Sequence, residues 1–355
     1  MDRVRSDLRL PILASLRGTI PGRISRSDGS ADKGLHSDIN LLILLVAIYA
    51  ICVAIFIVLV RENPSVLLAE AAALAPTGVF IFFSGNLWLA LLVLVLITVL
   101  RHGDRVRRFS DVIFCILICS AFVSVFVLAK ASLIHAVPFY ADVFWERLDR
   151  ALHFDFRPVE LAQKLSQFIS PQATTATYVT AWLLPGMFLP VFVAALDDDP
   201  ARKRRFVVLY LFAWIVLGNV IALLGMSVGP VYFDRLLGKT VFNDLPQMMI
   251  SSGLDQTIVP QMQERLWALY LGGEGDSGSG ISAFPSVHVG MASVVGLYLF
   301  ERSRWLALVA VPLVLWYQFL SVYTGWHYAV DGYFSIIAVA AFWWFLLSRE
   351  RRLQG

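Results

Sequence analysis

Charge is scarce in this chain. Asp, Glu, Lys and Arg supply 15% of its 355 residues and hydrophobic residues supply 58%. Soluble domains carry about 25% charged and about 45–50% apolar residues, so no stretch reads as a separate soluble domain. The apolar excess falls in long runs, each near the ~20 residues that carry a helix across a ~30 Å hydrocarbon core. Cysteine is scarcer still. Cys52, Cys115 and Cys119 all sit in apolar runs, which excludes an extracellular disulfide framework, and no Cys/His spacing suggests zinc. Packing is their expected role. A short apolar leader is also missing: residues 1–38 are polar and basic, and the first apolar run starts at Ile39 at full span length, so no cleavable signal is expected. Residues 25–33, rich in Gly, Ser and Asp, read as part of a flexible tail.

What the chain has instead is span after span. Eight are predicted, at 39–60, 78–100, 112–133, 174–196, 206–228, 285–300, 305–322 and 328–347. The fold class is therefore all-α, a polytopic membrane helix bundle. It divides into a basic tail over 1–38, one membrane domain over 39–348 with a core from about 112, and a short tail over 349–355. Basic residues crowd alternate connections: the N-terminal tail, then Arg101, Arg105, Arg107 and Arg108, then Arg202, Lys203, Arg204 and Arg205, then Arg302 and Arg304, then Arg349, Arg351 and Arg352. The positive-inside rule places these in the cytoplasm. Both termini then lie inside, and loops 61–77, 135–173 and 229–284 face outward with a tight turn near 323–327. Within loop 135–173, residues 143–152 and 158–168 are amphipathic and suit helices lying in the interface. Residues 272–282 read as a flexible link. The expected partners are membrane lipids; the net charge of +3 carries no nucleic-acid signal.

Six histidines occur. His36, His102, His135 and His153 fall in connections and read as solvated or interfacial. His288, in SAFPSVHVG, and His327, in SVYTGWHYAVDGY, fall at the same outer depth by topology. Pro285 suits the first position of a helix. The N–H groups of Ser286, Val287 and His288 would then be free donors for an anion, with the Ser286 hydroxyl and a titratable His288 beside them. His327 and Asp331 are four residues apart, so on a helix they share a face, and the carboxylate can hold one ring nitrogen. A nucleophilic or basic histidine needs such a partner. A lone histidine at an interface is more often structural. The signal is the combination of PSxH opening one span and GxHxxxD opening another.

At these residues the chain resembles the type-2 phosphatidic acid phosphatase superfamily of membrane enzymes, which carries a PSxH motif and a later SRxxxGxHxxxD motif. Gly325, His327 and Asp331 match the later motif, with Tyr323 and Thr324 in its variable stretch. The resemblance covers the third to eighth spans, as a six-helix core. It implies that His327 is the nucleophile that forms a phosphohistidine, that Asp331 orients it, and that His288 protonates the leaving group and then activates the acceptor. Pro285, Ser286, Tyr323 and Gly325 would belong to the phosphate-binding set. No metal or other cofactor is implied. The family's KxxxxxxRP motif, expected at the end of the fifth span, meets Ala222 and Gly229-Pro230 here, and the motif arginine six residues before the histidine is Ser321. Arg150 to Arg157-Pro158 matches that motif one loop earlier, and Arg235, Lys239 and Arg265 are rival phosphate partners. These losses resemble the inositol phosphorylceramide synthases, whose phosphodiester substrates carry one charge and need fewer basic clamps. A lipid phosphate phosphatase is the alternative within the family. Outside it stand a membrane haem protein, with His288 and His327 as paired axial ligands, and a transporter or scaffold.

Overall fold

The computed structural model describes residues 28–61, 105–272 and 280–354. The expected span at 78–100, the tail ahead of residue 28 and most of the 272–282 link lie outside them. Most of the described residues are helical, with no strand among them. In chain order the helices are α1 (Asp28–Val60), α2 (Arg105–Ala136), α3 (Asp142–Leu152), α4 (Pro158–Leu165), α5 (Pro171–Leu196), α6 (Pro200–Leu224), α7 (Pro230–Leu237), α8 (Leu245–Ser251), α9 (Ile258–Leu271), α10 (Val287–Arg302), α11 (Ala307–Tyr323) and α12 (Ala329–Gln354). Six of them, α1, α2, α5, α6, α11 and α12, are long and apolar enough to cross a membrane. The protein is an integral membrane helix bundle.

The seventh, α10, coincides with the predicted span at 285–300 but has only 16 residues. At 1.5 Å per residue it reaches roughly 24 Å, short of a full crossing. It survives because it is enclosed: Val289 through Val294 and Gly296 are all buried. Other boundaries also move. α1 starts at Asp28, ahead of the tail's expected end, because extending a nucleated helix costs far less than starting one. α12 runs on to Gln354 through the expected C-terminal tail. α6 stops at Leu224 rather than 228, because residues 225–229 leave the helix to lie against the site loops.

Local sequence explains the starts and breaks. Ser170 and Asp199 cap α5 and α6 through their side chains, each followed by proline at the first helical position. Pro190, inside α5, has no N–H to give to the carbonyl of Gly186. That carbonyl accepts from Trp214 Nε1 on α6 instead, at 2.9 Å. Both α5 and α6 contain π-helical turns, at Ala176–Ala181 and Phe212–Ile221, a local widening that often accompanies functional sites.

One end of the bundle is knotted by ion pairs. Buried Asp197 accepts from Arg202 at 2.6 Å and from Arg302 at 3.4 Å, and Arg205 bridges Glu301 at 2.6 Å and Glu350. The other end is covered by the short helices α3, α4, α7, α8 and α9. α3 is turned inside out relative to a soluble helix: Asp142, Glu146 and Asp149 are buried, while Phe144, Leu152 and the following Phe154 and Phe156 are exposed. Its apolar face suits lipid contact, and its acidic face points into the protein.

Candidate active site

Pro285 precedes α10 rather than opening it. Ser286 is the cap, and its Oγ accepts from Val289 N. The hydroxyl expected to hold phosphate thus also caps the helix, with its own proton left to donate, and Ser286 is fully buried. The N–H groups of Val287 and His288 remain as first-turn donors without an intrahelical acceptor. His288 is clamped between two rings of α5, with Tyr178 at 4.3 Å and Trp182 at 4.1 Å between centroids. Both rings lie in or directly after the first π-helical turn.

His327 lies just ahead of α12 rather than on it, so the expected shared helix face is replaced by a capping geometry. Asp331, in the first turn, reaches back: its Oδ2 accepts from Tyr328 N at 3.0 Å and pairs with His327 Nδ1 at 3.3 Å. With Nδ1–H on the carboxylate, Nε2 is the unprotonated nitrogen, the arrangement a nucleophilic histidine requires. The two motifs are joined directly, because Ser286 N donates to the Asp331 carbonyl at 3.3 Å.

His288, His327, Pro285 and Val287 line one cavity of about 230 Å³. Its remaining wall is largely aromatic and aliphatic, including Trp182, Trp214 and Trp326, with Tyr232 and Leu266 of the covering helices. The structure therefore brings the two histidines together. It does not bring Arg235 and Lys239 to them: Arg235 pairs with exposed Glu264 at 2.5 Å, and Lys239 lies over the Phe233 ring. Arg150 and Arg157 line a second cleft with His327, but its volume is about 10 Å³, room for no more than one water. Arg157 is held there by Asp244 and Glu160. Tyr323 is wholly buried, stacked on Phe319. Gly325 makes the turn, with φ +74°, and its carbonyl accepts from Val231 N at 2.9 Å.

The positions where the resembling family has basic residues are closed by packing. Gly229 has φ +82°, and a Cβ there would lie 2.3 Å from the Trp326 carbonyl oxygen. Ala222 is fully buried against Leu133 and Met226. Ser321 is fully buried, donates to Gln318 O at 2.8 Å and accepts from His327 N through its carbonyl.

The family comparison fits this geometry. Residues 144–345 match the family model of the PAP2 superfamily. The chain belongs to that superfamily. Members of the PAP2 superfamily are phosphatases and phosphotransferases, and both histidine motifs lie within the matched residues. No curated protein and no solved structure matches the chain.

Sequence reasoning missed three groups. Asp142 on α3 accepts from Val228 N, Gly229 N and Tyr328 Oη at 2.9 to 3.1 Å, and Asp149 accepts from Val330 N at 3.0 Å. These carboxylates pin the loop that carries His327. Burial, against those hydrogen bonds, pushes each of their pKa values up to about 6. Their spacing with Glu146, four residues and then three, on an amphipathic stretch was the available signal. Tyr178 and Trp182, which hold His288, gave no signal within an apolar run. Lys130 also lines the cavity, and it stands alone as a charge between residues 112 and 133.

Proposed function

We propose that this PAP2 superfamily member transfers a phosphodiester head group between membrane lipids through a phosphohistidine on His327, as the inositol phosphorylceramide synthases do, without a metal ion. The observation that carries the reading is the Asp331–His327 pair facing a cavity it shares with His288. His327 Nε2 attacks phosphorus, and the bond from phosphorus to the lipid alcohol oxygen breaks as His288 gives that oxygen a proton. The head-group phosphate is then held on His327. The hydroxyl of an acceptor lipid attacks the same phosphorus, its proton passes to His288, and the phosphorus–nitrogen bond breaks to return both histidines to their starting states. The apolar walls favour a lipid alcohol over water as acceptor. By the basic-loop pattern the site opens to the outer face, with both termini in the cytoplasm.

The test is a head-group assay on the purified protein in mixed lipid micelles with EDTA present throughout. Labelled phosphatidylinositol, phosphatidylglycerol and phosphatidic acid are donors, and ceramide and diacylglycerol are acceptors. Transfer that persists in EDTA and falls at least about 10³-fold in His327→Ala supports the reading. Phosphate release from phosphatidic acid without any transfer replaces it with a lipid phosphatase. Turnover unchanged by the substitution removes the phosphohistidine.

A further inference from the structure

Besides the two histidines, the cavity has one basic side chain among its described lining residues, Lys130, and no carboxylate. Lys130 comes from α2, upstream of the matched residues 144–345, so it belongs to none of the shared motifs. It lies within a membrane-crossing helix. A charge there is costly, and such residues mark functional sites by default. Lys130 has no carboxylate partner among the described residues. Its Nζ donates to a neutral oxygen, the Gly218 carbonyl in the second π-helical turn, at 3.1 Å. An ammonium has three protons, so this bond leaves two for the cavity. Gly280 fits against the lysine stem so closely that a Cβ there would lie 2.5 Å from Lys130 Cγ. The segment leading to Pro285 therefore packs on the lysine stem.

The positions that could have supplied a motif cation, Ala222, Gly229 and Ser321, are packed shut. The cleft that Arg150 and Arg157 share with His327 has no room for phosphate, and the larger clefts that Arg157 also lines include neither His288 nor His327. Resting on the reading of this cavity as the seat of the reacting phosphate, we infer that Lys130 is its phosphate-binding cation and that the site takes singly charged phosphodiesters. One ammonium and the first-turn N–H groups of α10 match a single negative charge, the proton that His288 carries being committed to the leaving oxygen. A monoester dianion would leave part of its charge unmatched within an apolar wall.

The test reads binding rather than turnover. Carbethoxylation of His288 and His327 by diethyl pyrocarbonate is followed by mass spectrometry in detergent, with dimethyl phosphate or inorganic phosphate as protectant. Dimethyl phosphate is expected to protect at the lower concentration. Lys130→Gln keeps a donor for the Gly218 carbonyl but loses the charge, and its half-protecting concentration should rise roughly 10- to 100-fold. Lys130→Arg should protect nearly as the wild type does. Equal protection in wild type and Lys130→Gln overturns the inference, as does wild type that neither anion protects. Should the variants not fold, saturating dimethyl phosphate must still shield Lys130 of the wild type from acetic anhydride, and unshielded acetylation overturns it. Protection that depends on Lys130 in a protein with no head-group transfer would sink the transfer reading and leave Lys130 standing. Transfer with protection indifferent to Lys130 does the reverse.

Discussion

Gly229 shows how much of this site is decided by a missing side chain. Its φ of +82° lies where only glycine is unstrained, and its hydrogen side faces the Trp326 carbonyl, one residue before His327. Gly229→Ala should cost about 1–3 kcal/mol of stability from backbone strain alone and lower kcat by displacing the His327 loop. Thermal unfolding and the head-group assay check the two effects separately, and unchanged kcat would mean that the loop absorbs the methyl. At this scale the motif spacing singled out His288, His327 and Asp331, and the structure places the two histidines on one cavity with Asp331 against His327. The sequence did not show that the Ser286 hydroxyl also caps a helix, nor why Gly229 stands where an arginine was expected. The latter depends on contact between loops nearly a hundred residues apart in the chain.

Among the elements, α3 carries the lesson. Its amphipathic pattern correctly announced a helix but not which side faces in, since beside lipid the apolar face can point outward. Asp142 and Asp149 turn inward to hold the loops around His327. Because burial raises their pKa to about 6, the folded protein retains their protons to higher pH than the unfolded chain does. Stability therefore falls as pH rises from about 4 to about 6, and this contribution is constant above that. Asp142→Asn should flatten part of that fall, measured as the melting temperature across the window in a series of buffers. An unchanged slope would show that Asp142 is ionised at no cost. The π-helical turns of α5 and α6 were not legible at all, because each is one residue of extra winding inside uniformly apolar text.

For the whole molecule, hydropathy alone gave the all-α bundle and most of its spans, since a chain in lipid has few other ways to satisfy its backbone. The basic loops were read as topology signals by counting Lys and Arg. In the structure Arg202, Arg205 and Arg302 are also ion-paired, to Asp197, Glu301 and Glu350, which ties α5, α6, α10 and α12 at one end. Arg205 is 6% exposed, and Arg205→Ala would leave Glu301 and Glu350 without their cation. Breaking such a buried pair typically costs about 3–5 kcal/mol. The expected result is an unfolding midpoint well below wild type in detergent, with the sensitivity of the head-group assay to His327 unaltered at low temperature.

The brevity of α10 has a mechanical consequence. Its ionic end, with Glu301 and Arg302, is moored where charges can be solvated, so a helix of roughly 24 Å leaves its histidine end sunk beneath the far surface of a ~30 Å hydrocarbon layer. On the proposed lipid reading, the head group is therefore drawn down out of the water layer to meet His327. The thickness of the surrounding bilayer thus becomes one of the dimensions of the site.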